Sequence, residues 1–287
     1  IDSQNNKSYE YYAKVIFLCS STVGSTSILM QSKSNRFPEG MGNDSGELGH
    51  NLMDHHFQVG ASGTFKGFKN KITYGRKPAG FYIPRFRNIG GVTNRKDFIR
   101  GYQYQGGANR GFMSISDSAE ELISYGPRFK ENIVKRDEWT ASMNGFGEIL
   151  PYHDNKMTLN YDKKDMWGLP TVTFDAKIRE NELTMRKDMK IQAEEMLERA
   201  GFDDVDGWES KYIFGNGIHE MGTARMGRDP KTSVLNRNNQ IHEVKNVYVT
   251  DGSCMTSAGN QNPSITYMAL TARAVNHAVE ELKKLNI

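Results

Sequence analysis

The sequence predicts an α/β fold, α+β overall, in which one domain is interrupted by another. Three observations carry this. Residues 13–19 form an apolar run of β-type residues, followed by a Ser/Thr/Gly turn and a short apolar helix. Between about 57 and 215, short segments alternate in period two and are punctuated by Gly and Asn. Residues 246–250 form a second apolar strand, which feeds a Gly/Ser/Asn loop and then a long helix. A chain that opens α/β, passes through antiparallel strands and closes α/β reads as one domain split by an insertion.

The elements follow in order. Val15-Ile16-Phe17-Leu18-Cys19 suits a buried strand, and Ser20 to Thr26 with Ile28-Leu29-Met30 suits the turn and helix of a βα unit. A loop rich in Gly, Asn and Asp then leads to Asn51-Leu52-Met53-Asp54-His55-His56, closing a first part at 1–56. The middle part, 57–215, carries strand-like segments at 57–61, 81–86, 141–150 and 157–161, which argues for an antiparallel sheet backed by helices. Its one strong helix is expected over 179–200. Leu183, Met189, Ala193, Met196, Leu197 and Ala200 fall near one face, and Gly201 provides the stop. The last part, 216–287, holds the strand at 246–250 and a helix running to about Lys284. Asn262 is expected to cap that helix and Pro263 to take its first position. Ile265, Met268, Ala269, Ala272, Val275, Val279 and Leu282 are expected to face the core.

Bulk properties narrow the function classes. The chain has 287 residues, 37% of them hydrophobic and 25% charged, which suits a globular protein with a sizeable core. A net charge of +3 is too small to argue for nucleic acid as a partner. No apolar run reaches the length of a membrane span. The first twelve residues lack a signal-peptide layout, and the absence of an initiating Met suggests a truncated or processed start. Two cysteines, Cys19 and Cys254, make no disulfide framework and read as buried small apolar residues.

Several residues can carry chemistry. His219 sits in Gly215-Asn216-Gly217-Ile218-His219-Glu220-Met221-Gly222-Thr223, where glycines allow close backbone approach to a ligand. A histidine titrates near neutrality and can take a hydroxyl proton, though alone it reads equally as a hydrogen-bonded loop residue. Asn262 can cap a helix or hydrogen-bond an alcohol oxygen. The helix start beside Pro263 and Ser264 offers free N–H groups and partial positive charge to an anion. Asp251-Gly252 after a strand is a surface turn or part of a cofactor site. His55-His56 is no convincing metal site, because adjacent side chains diverge and no ligand set accompanies them. His153 and His242 read as turn or surface residues. Tyr102-Gln103-Tyr104-Gln105-Gly106-Gly107 and Trp139 suit either a polar, aromatic sugar pocket or ordinary sheet packing. No Gly-x-Ser-x-Gly elbow, Gly-x-Gly-x-x-Gly fingerprint or phosphate loop is present.

Taken as an ordered set, these residues resemble the C-terminal half of the glucose–methanol–choline (GMC) oxidoreductases. The matching pieces are the His219 loop, Val247-Tyr248-Val249-Thr250-Asp251-Gly252-Ser253, and Asn262-Pro263-Ser264-Ile265-Thr266. Gly49-His50-Asn51-Leu52-Met53-Asp54-His55 and Val15-Ile16-Phe17-Leu18-Cys19-Ser20 are similar too, so the resemblance covers nearly the whole chain. Met221-Gly222-Thr223-Ala224-Arg225-Met226-Gly227 is similar to the bacterial branch of gluconate, glucoside and other sugar dehydrogenase flavoproteins.

The resemblance implies an FAD-binding, Rossmann-like domain in two pieces, 1–56 and 216–287, around a substrate-binding domain at 57–215. It implies FAD as cofactor and a sugar or polyol as substrate, oxidised at a CH–OH group by hydride transfer to flavin N5. His219 and Asn262 would be the catalytic pair, in the family's His–Asn version. Asp251, Gly252, Asn262, Pro263 and Ser264 would contact the flavin, and no metal is expected. The family's phosphate-binding Gly-x-Gly-x-x-Gly lies in an N-terminal portion that this sequence lacks, so that portion is expected as a partner. An electron-acceptor subunit or cytochrome is a further expected partner, and a bacterial periplasmic or cytoplasmic setting is implied. Two alternatives stand beside the dehydrogenase: an oxidase that passes electrons to oxygen, and a non-catalytic binding domain derived from a flavoprotein.

Overall fold

The computed structural model describes residues 2–71, 80–91, 93–110, 126–127, 130 and 138–287. The fold is mixed α/β with antiparallel sheets, as the sequence predicts. The chain divides into two compact units. One comprises Ile1–His56, Glu148–Ile178 and Ile213–Ile287, the other Phe57–Gly147 and Arg179–Tyr212. The sequence reading keeps 148–178 inside the middle part, whereas the structure gathers it with the two ends of the chain. The reason is a hairpin, β7 (Lys156–Lys164) with β8 (Pro170–Asp175), whose strands pair with each other rather than with the inserted sheet.

In the first unit, β1 (Ile16–Leu18) runs parallel to β11 (Val244–Val249), with Ile16 opposite Val247 and Leu18 opposite Val249. A short strand, β10 (Gln240–Ile241), lies antiparallel on the other side of β11. The helix α1 (Ser21–Gln31) follows β1 directly, as a βα unit requires. A core of Leu29, Leu48, Met157, Ala224, Val234, Leu235, Ile241, Val249 and Cys254 packs beneath these elements.

Two expectations fail at this edge. The run 13–19 yields only a three-residue strand, and Ile16 is 45% exposed, because among the described residues β1 is an edge strand that pairs with β11 alone. For the same reason Cys19 is exposed, while Cys254 is fully buried and its thiol is pushed up to about 12 by that burial.

The second unit is a sheet of β4 (Phe81–Ile83), β5 (Tyr102–Asn109), β6 (Trp139–Glu148), β3 (Val59–Phe65) and β9 (Asp203–Glu209), in that spatial order and antiparallel throughout. The helix α2 (Glu180–Arg199) backs β3 and β9. Glu182 receives the Arg179 backbone N–H at its N-terminus, and Gly201, at φ +85°, ends it. Met189, Ala193 and Leu197 are buried as expected, but Leu183 and Ala200 are exposed and Met185 takes the buried position instead. Tyr102 and Tyr104 sit in this core. The Tyr102 hydroxyl donates to Asp188 at 2.6 Å and that of Tyr104 to the Met189 carbonyl at 2.5 Å. These tyrosines are therefore packing residues and line no sugar pocket. Trp139 joins Phe65, Phe68, Ala108 and Phe202 around an apolar recess, which gives a sugar's hydroxyls little to bond.

The last helix, α3 (Ser264–Lys283), begins one residue later than expected, with Pro263 as its N-cap and no side-chain cap bond. Its burial is the reverse of the expected one. Ala274 and Ala278 are buried against Tyr248, while Ile265, Met268, Val275 and Val279 are exposed. Among the described residues, no helix is long and apolar enough to cross a membrane.

Candidate active site

The site lies within the first unit and is assembled by backbone pairing. Met53 and Met221 exchange N–H···O bonds of 2.8 and 2.9 Å, which lays the chain at Asp54-His55 beside the glycine loop. On the other side, the N–H groups of Gly222, Ala224 and Met226 donate to the carbonyls of Gly252, Ser253 and Cys254. The loop is thus stitched between the 51–55 segment and the chain leaving β11. The Thr22 hydroxyl, in the first turn of α1, donates to the Glu220 carbonyl at 2.5 Å and ties the loop to α1.

A buried carboxylate orders the loop itself. Asp54 is fully buried. Its Oδ1 accepts from the backbone N–H of His55 at 2.7 Å and of His219 at 3.1 Å. Its Oδ2 accepts from Gly215 at 3.1 Å and Gly217 at 3.0 Å. Charge-assisted bonds of this kind are stronger than neutral ones, and in a buried setting they define one loop conformation. The glycine at 217 is obligatory here, because a Cβ would collide with the His55 carbonyl and with the Asp54 carboxylate. Ile218 adopts φ +52°, a left-handed backbone that a β-branched residue disfavours by about 1–3 kcal/mol. The Asp54 bonds to Gly217 and His219 lie on either side of it and offset that cost.

His219 points one ring nitrogen at another histidine. Its Nδ1 lies 2.9 Å from His55 Nδ1, with the rings edge to face at 75°. His55 is fully buried, and its Nε2 lies 3.1 Å from the Gly259 carbonyl. Burial first, then the nearby His219, push His55 down to about 4, against the pull of the Gly259 and Ala258 carbonyls. His219 is also held below the ordinary histidine value by burial, with the Asp54 charge opposing. Both rings are therefore neutral at pH 7, and a neutral imidazole can accept a proton. Burial likewise raises the Glu220 carboxyl above its usual range.

A cleft of about 320 Å³ opens beside this loop. Its lining includes His219, Glu220, Asp251, Gly252, Pro263, Ser264 and Tyr267, with Ser21 and Thr22 of α1. The structure thus brings His219, Asp251, Gly252, Pro263 and Ser264 to one cavity. Asn262 is exposed, directly before Pro263, and is not among the residues that line the cleft. The Asp251 carboxylate is turned inward. It accepts from the Ser253 N–H at 2.9 Å, from the Ser253 hydroxyl at 2.6 Å and from the Ser25 hydroxyl, so it fastens α1 to the turn after β11. Gly252 has no room for a side chain, since a Cβ would meet the Thr22 hydroxyl, the Glu220 carbonyl and, at 2.9 Å, the Tyr267 hydroxyl. Sequence reasoning quoted Asp54 and His55 within the 49–55 stretch that carries the resemblance but gave them no part in the site, because the pairing that joins them to His219 spans more than 160 residues.

A family model described as GMC oxidoreductase matches residues 151–271, which hold the whole glycine loop, the turn after β11 and the start of α3. The 2-methyl-1,2-propanediol dehydrogenase of Mycolicibacterium austroafricanum is 29% identical over 289 residues, an alignment covering 96% of this chain and 49% of that protein. The fructose dehydrogenase large subunit of Gluconobacter japonicus is 25% identical over 282 residues, covering 98% and 50%. This chain therefore spans about half the length of these curated relatives. Among solved structures, the formate oxidase of Aspergillus oryzae RIB40 superposes with a TM-score of 0.59 at 14% identity, over 95% of this chain and 55% of that one, which shows a shared fold. Residues 151–271 thus match the GMC oxidoreductase family model, and the chain is similar over nearly its whole length to two bacterial dehydrogenases.

Proposed function

We propose that the protein carrying this chain uses FAD to oxidise a CH–OH group of a sugar or polyol, and that this chain supplies the residues that handle the alcohol. One observation carries the reading: a neutral, backbone-clamped His219 faces the same cleft as the turn after β11 and the start of α3. The names of the relatives, a diol dehydrogenase and a fructose dehydrogenase, support the substrate class.

The residues fit one end of FAD. The cleft is at the small end of ligand pockets, which run to about 300–1,000 Å³, so it suits part of a dinucleotide rather than all of it. Gly252 keeps its floor free of a side chain, and Ser264, following Pro263, brings the first backbone N–H of α3 to its wall. Gly252, Pro263 and Ser264 would hold the cofactor there, with Asp251 ordering the turn behind them and Asn262 approaching from beside Pro263, outside the cleft lining. When bound, the flavin supplies the acceptor for the hydride that leaves the carbinol carbon. His219 accepts the hydroxyl proton, and the Asn262 amide donates to the same oxygen and fixes its position. The N–H groups at the start of α3 stabilise negative charge that develops beside them.

The remaining cofactor contacts fall to an N-terminal dinucleotide-binding portion, which the half-length match to the relatives supports. The apolar face that α3 leaves exposed suits a surface which that portion covers. In this reading 1–56 and 216–287, joined by 148–178, bind FAD, and the rest of 57–215 is the substrate-binding domain. The description of one relative as a large subunit supports a partner subunit.

Anaerobic mixing of the flavin-loaded protein with a panel of sugars and polyols tests this, read as bleaching of the flavin absorbance. His219→Ala should slow bleaching by about 10²–10⁴-fold, the range for a general base. An unchanged rate in that variant overturns the role of His219, and no bleaching with any alcohol overturns the reaction. Hydrogen peroxide formed on readmitting oxygen identifies an oxidase instead of a dehydrogenase.

A further inference from the structure

His55 is fully buried and has both ring nitrogens engaged. Its partners dictate where its proton sits. The Gly259 carbonyl can only accept, so the His55 nitrogen 3.1 Å away, Nε2, carries the hydrogen. A neutral imidazole has one N–H, which leaves Nδ1 as a bare acceptor. Among the described residues, that acceptor faces His219 Nδ1 at 2.9 Å. A bond forms there only if His219 donates. The proton position on one ring thereby sets the proton position on the other.

We propose that His55 is a positioning residue that holds His219 as its Nδ1–H tautomer and keeps Nε2 as the basic nitrogen for the substrate hydroxyl. The chain runs from the Gly259 carbonyl through His55 to His219, within one unit of the fold. Three features support it. Burial keeps His55 uncharged, so it does not turn into a double donor that would reverse the arrangement. The Asp54 carboxylate binds the backbone N–H of both histidines through the same oxygen, Oδ1, which fixes the spacing of the two residues. The rings meet edge to face, so neither can rotate without breaking the contact. The same logic orients metal-bound histidines, whose second nitrogen is fixed by a neighbouring acceptor. The use made of the tautomer rests on the proton-accepting role proposed above for His219; the tautomer itself does not.

The test is a long-range proton–nitrogen correlation spectrum of the histidine rings in the ¹⁵N-labelled protein carrying this chain, at pH 7. His219 is assigned through His219→Gln. His219 should show a protonated Nδ1 and an unprotonated Nε2, and His55 the opposite pattern. A His219 ring protonated on Nε2, or a mixture of both tautomers, overturns the proposal. His55→Leu should then release His219 into a mixture and lower kcat by about 10–100-fold with little change in KM, the range seen when partners of metal-bound histidines are removed. His55→Gln should restore the single tautomer and most of kcat, because its amide oxygen can accept from His219 while its nitrogen donates to Gly259. A leucine variant with the wild-type tautomer and kcat within about twofold overturns the proposal. Should His55→Leu not fold, the wild-type spectrum and the glutamine variant still decide. The two readings fail separately: an Nδ1–H His219 whose removal leaves flavin bleaching untouched sinks the catalytic role alone.

Discussion

Asp54→Asn isolates what the buried carboxylate does, because it changes charge and hydrogen-bond capacity at constant shape. Each carboxylate oxygen accepts two backbone N–H groups, those of His55 and His219 on Oδ1 and those of Gly215 and Gly217 on Oδ2. An amide has one oxygen. Whichever way it turns, its NH₂ group faces two N–H donors, and two bonds are lost. Hydrogen bonds to a charged group contribute about 1.5–3 kcal/mol each, so the loop loses about 3–6 kcal/mol of local stability. At 1.36 kcal/mol per factor of ten, opening becomes about 10²–10⁴-fold easier. The left-handed Ile218 has less to hold it and adds to the effect. Native-state hydrogen exchange reads this directly at the amides of Gly217 and His219. Protection there should collapse in the variant, while β3 and β6 in the other unit keep theirs. Exchange at Gly217 and His219 within about twofold of wild type would show that the glycine loop is held by its strand-like pairing alone and that the carboxylate clamp is irrelevant.

Two further outcomes follow from the same geometry. The folded protein holds His55 near 4, against about 6.5 for an unfolded histidine, so the unfolded chain binds the proton first as pH falls. The contribution is therefore complete above about pH 6.5 and is lost between there and about pH 4. Its size is about 3 kcal/mol, and the shift at His219 has the same sign. Urea unfolding at pH 7, 5.5 and 4 should show this decline, with a shallower one in His55→Gln; equal slopes would remove His55 as its cause. Gly252→Ala should cost about 1–3 kcal/mol, since the new methyl presses on Thr22, Glu220 and Tyr267, and a melting temperature equal to that of wild type would mean that the turn yields freely.

The parts of the fold legible in the sequence are those fixed by local pattern. The apolar run before Ser20 and that before Asp251 name two strands, while their parallel pairing is visible only in the structure. Period-two alternation identifies the inserted antiparallel strands. It cannot assign partners, because Met157-Thr158-Leu159 alternates just as residues 141–145 do while pairing in a separate hairpin. The site divides along the same line. His219, Gly252 and Ser264 stand in motifs that need special backbone or a helix start, and these mark the sequence. Asp54 and His55 act through bonds to residues far along the chain, and a buried Asp-His pair carries no local mark of where its bonds go.

The last helix shows why periodicity alone misplaces a face. Ile265, Met268, Ala272, Val275 and Val279 recur at helical spacing, and the expected core stripe followed from that spacing. The structure instead buries Ala274 and Ala278, small residues that let α3 approach Tyr248 and Phe17 closely, with the Tyr248 hydroxyl 3.0 Å from His277 Nδ1. Both faces of this helix are apolar enough to be buried. Size decides between them: alanines suit a helix lying tight on a sheet, whereas Ile, Met and Val need a partner that offers grooves. Ile265 and Met268 are 77% and 71% exposed. Burying one such side chain fully is worth about 1.5–3 kcal/mol, so covering this face would contribute several kcal/mol. A helix that buries its alanines and shows its larger apolar residues supports, on grounds independent of sequence identity, the proposal above that an N-terminal portion covers this face.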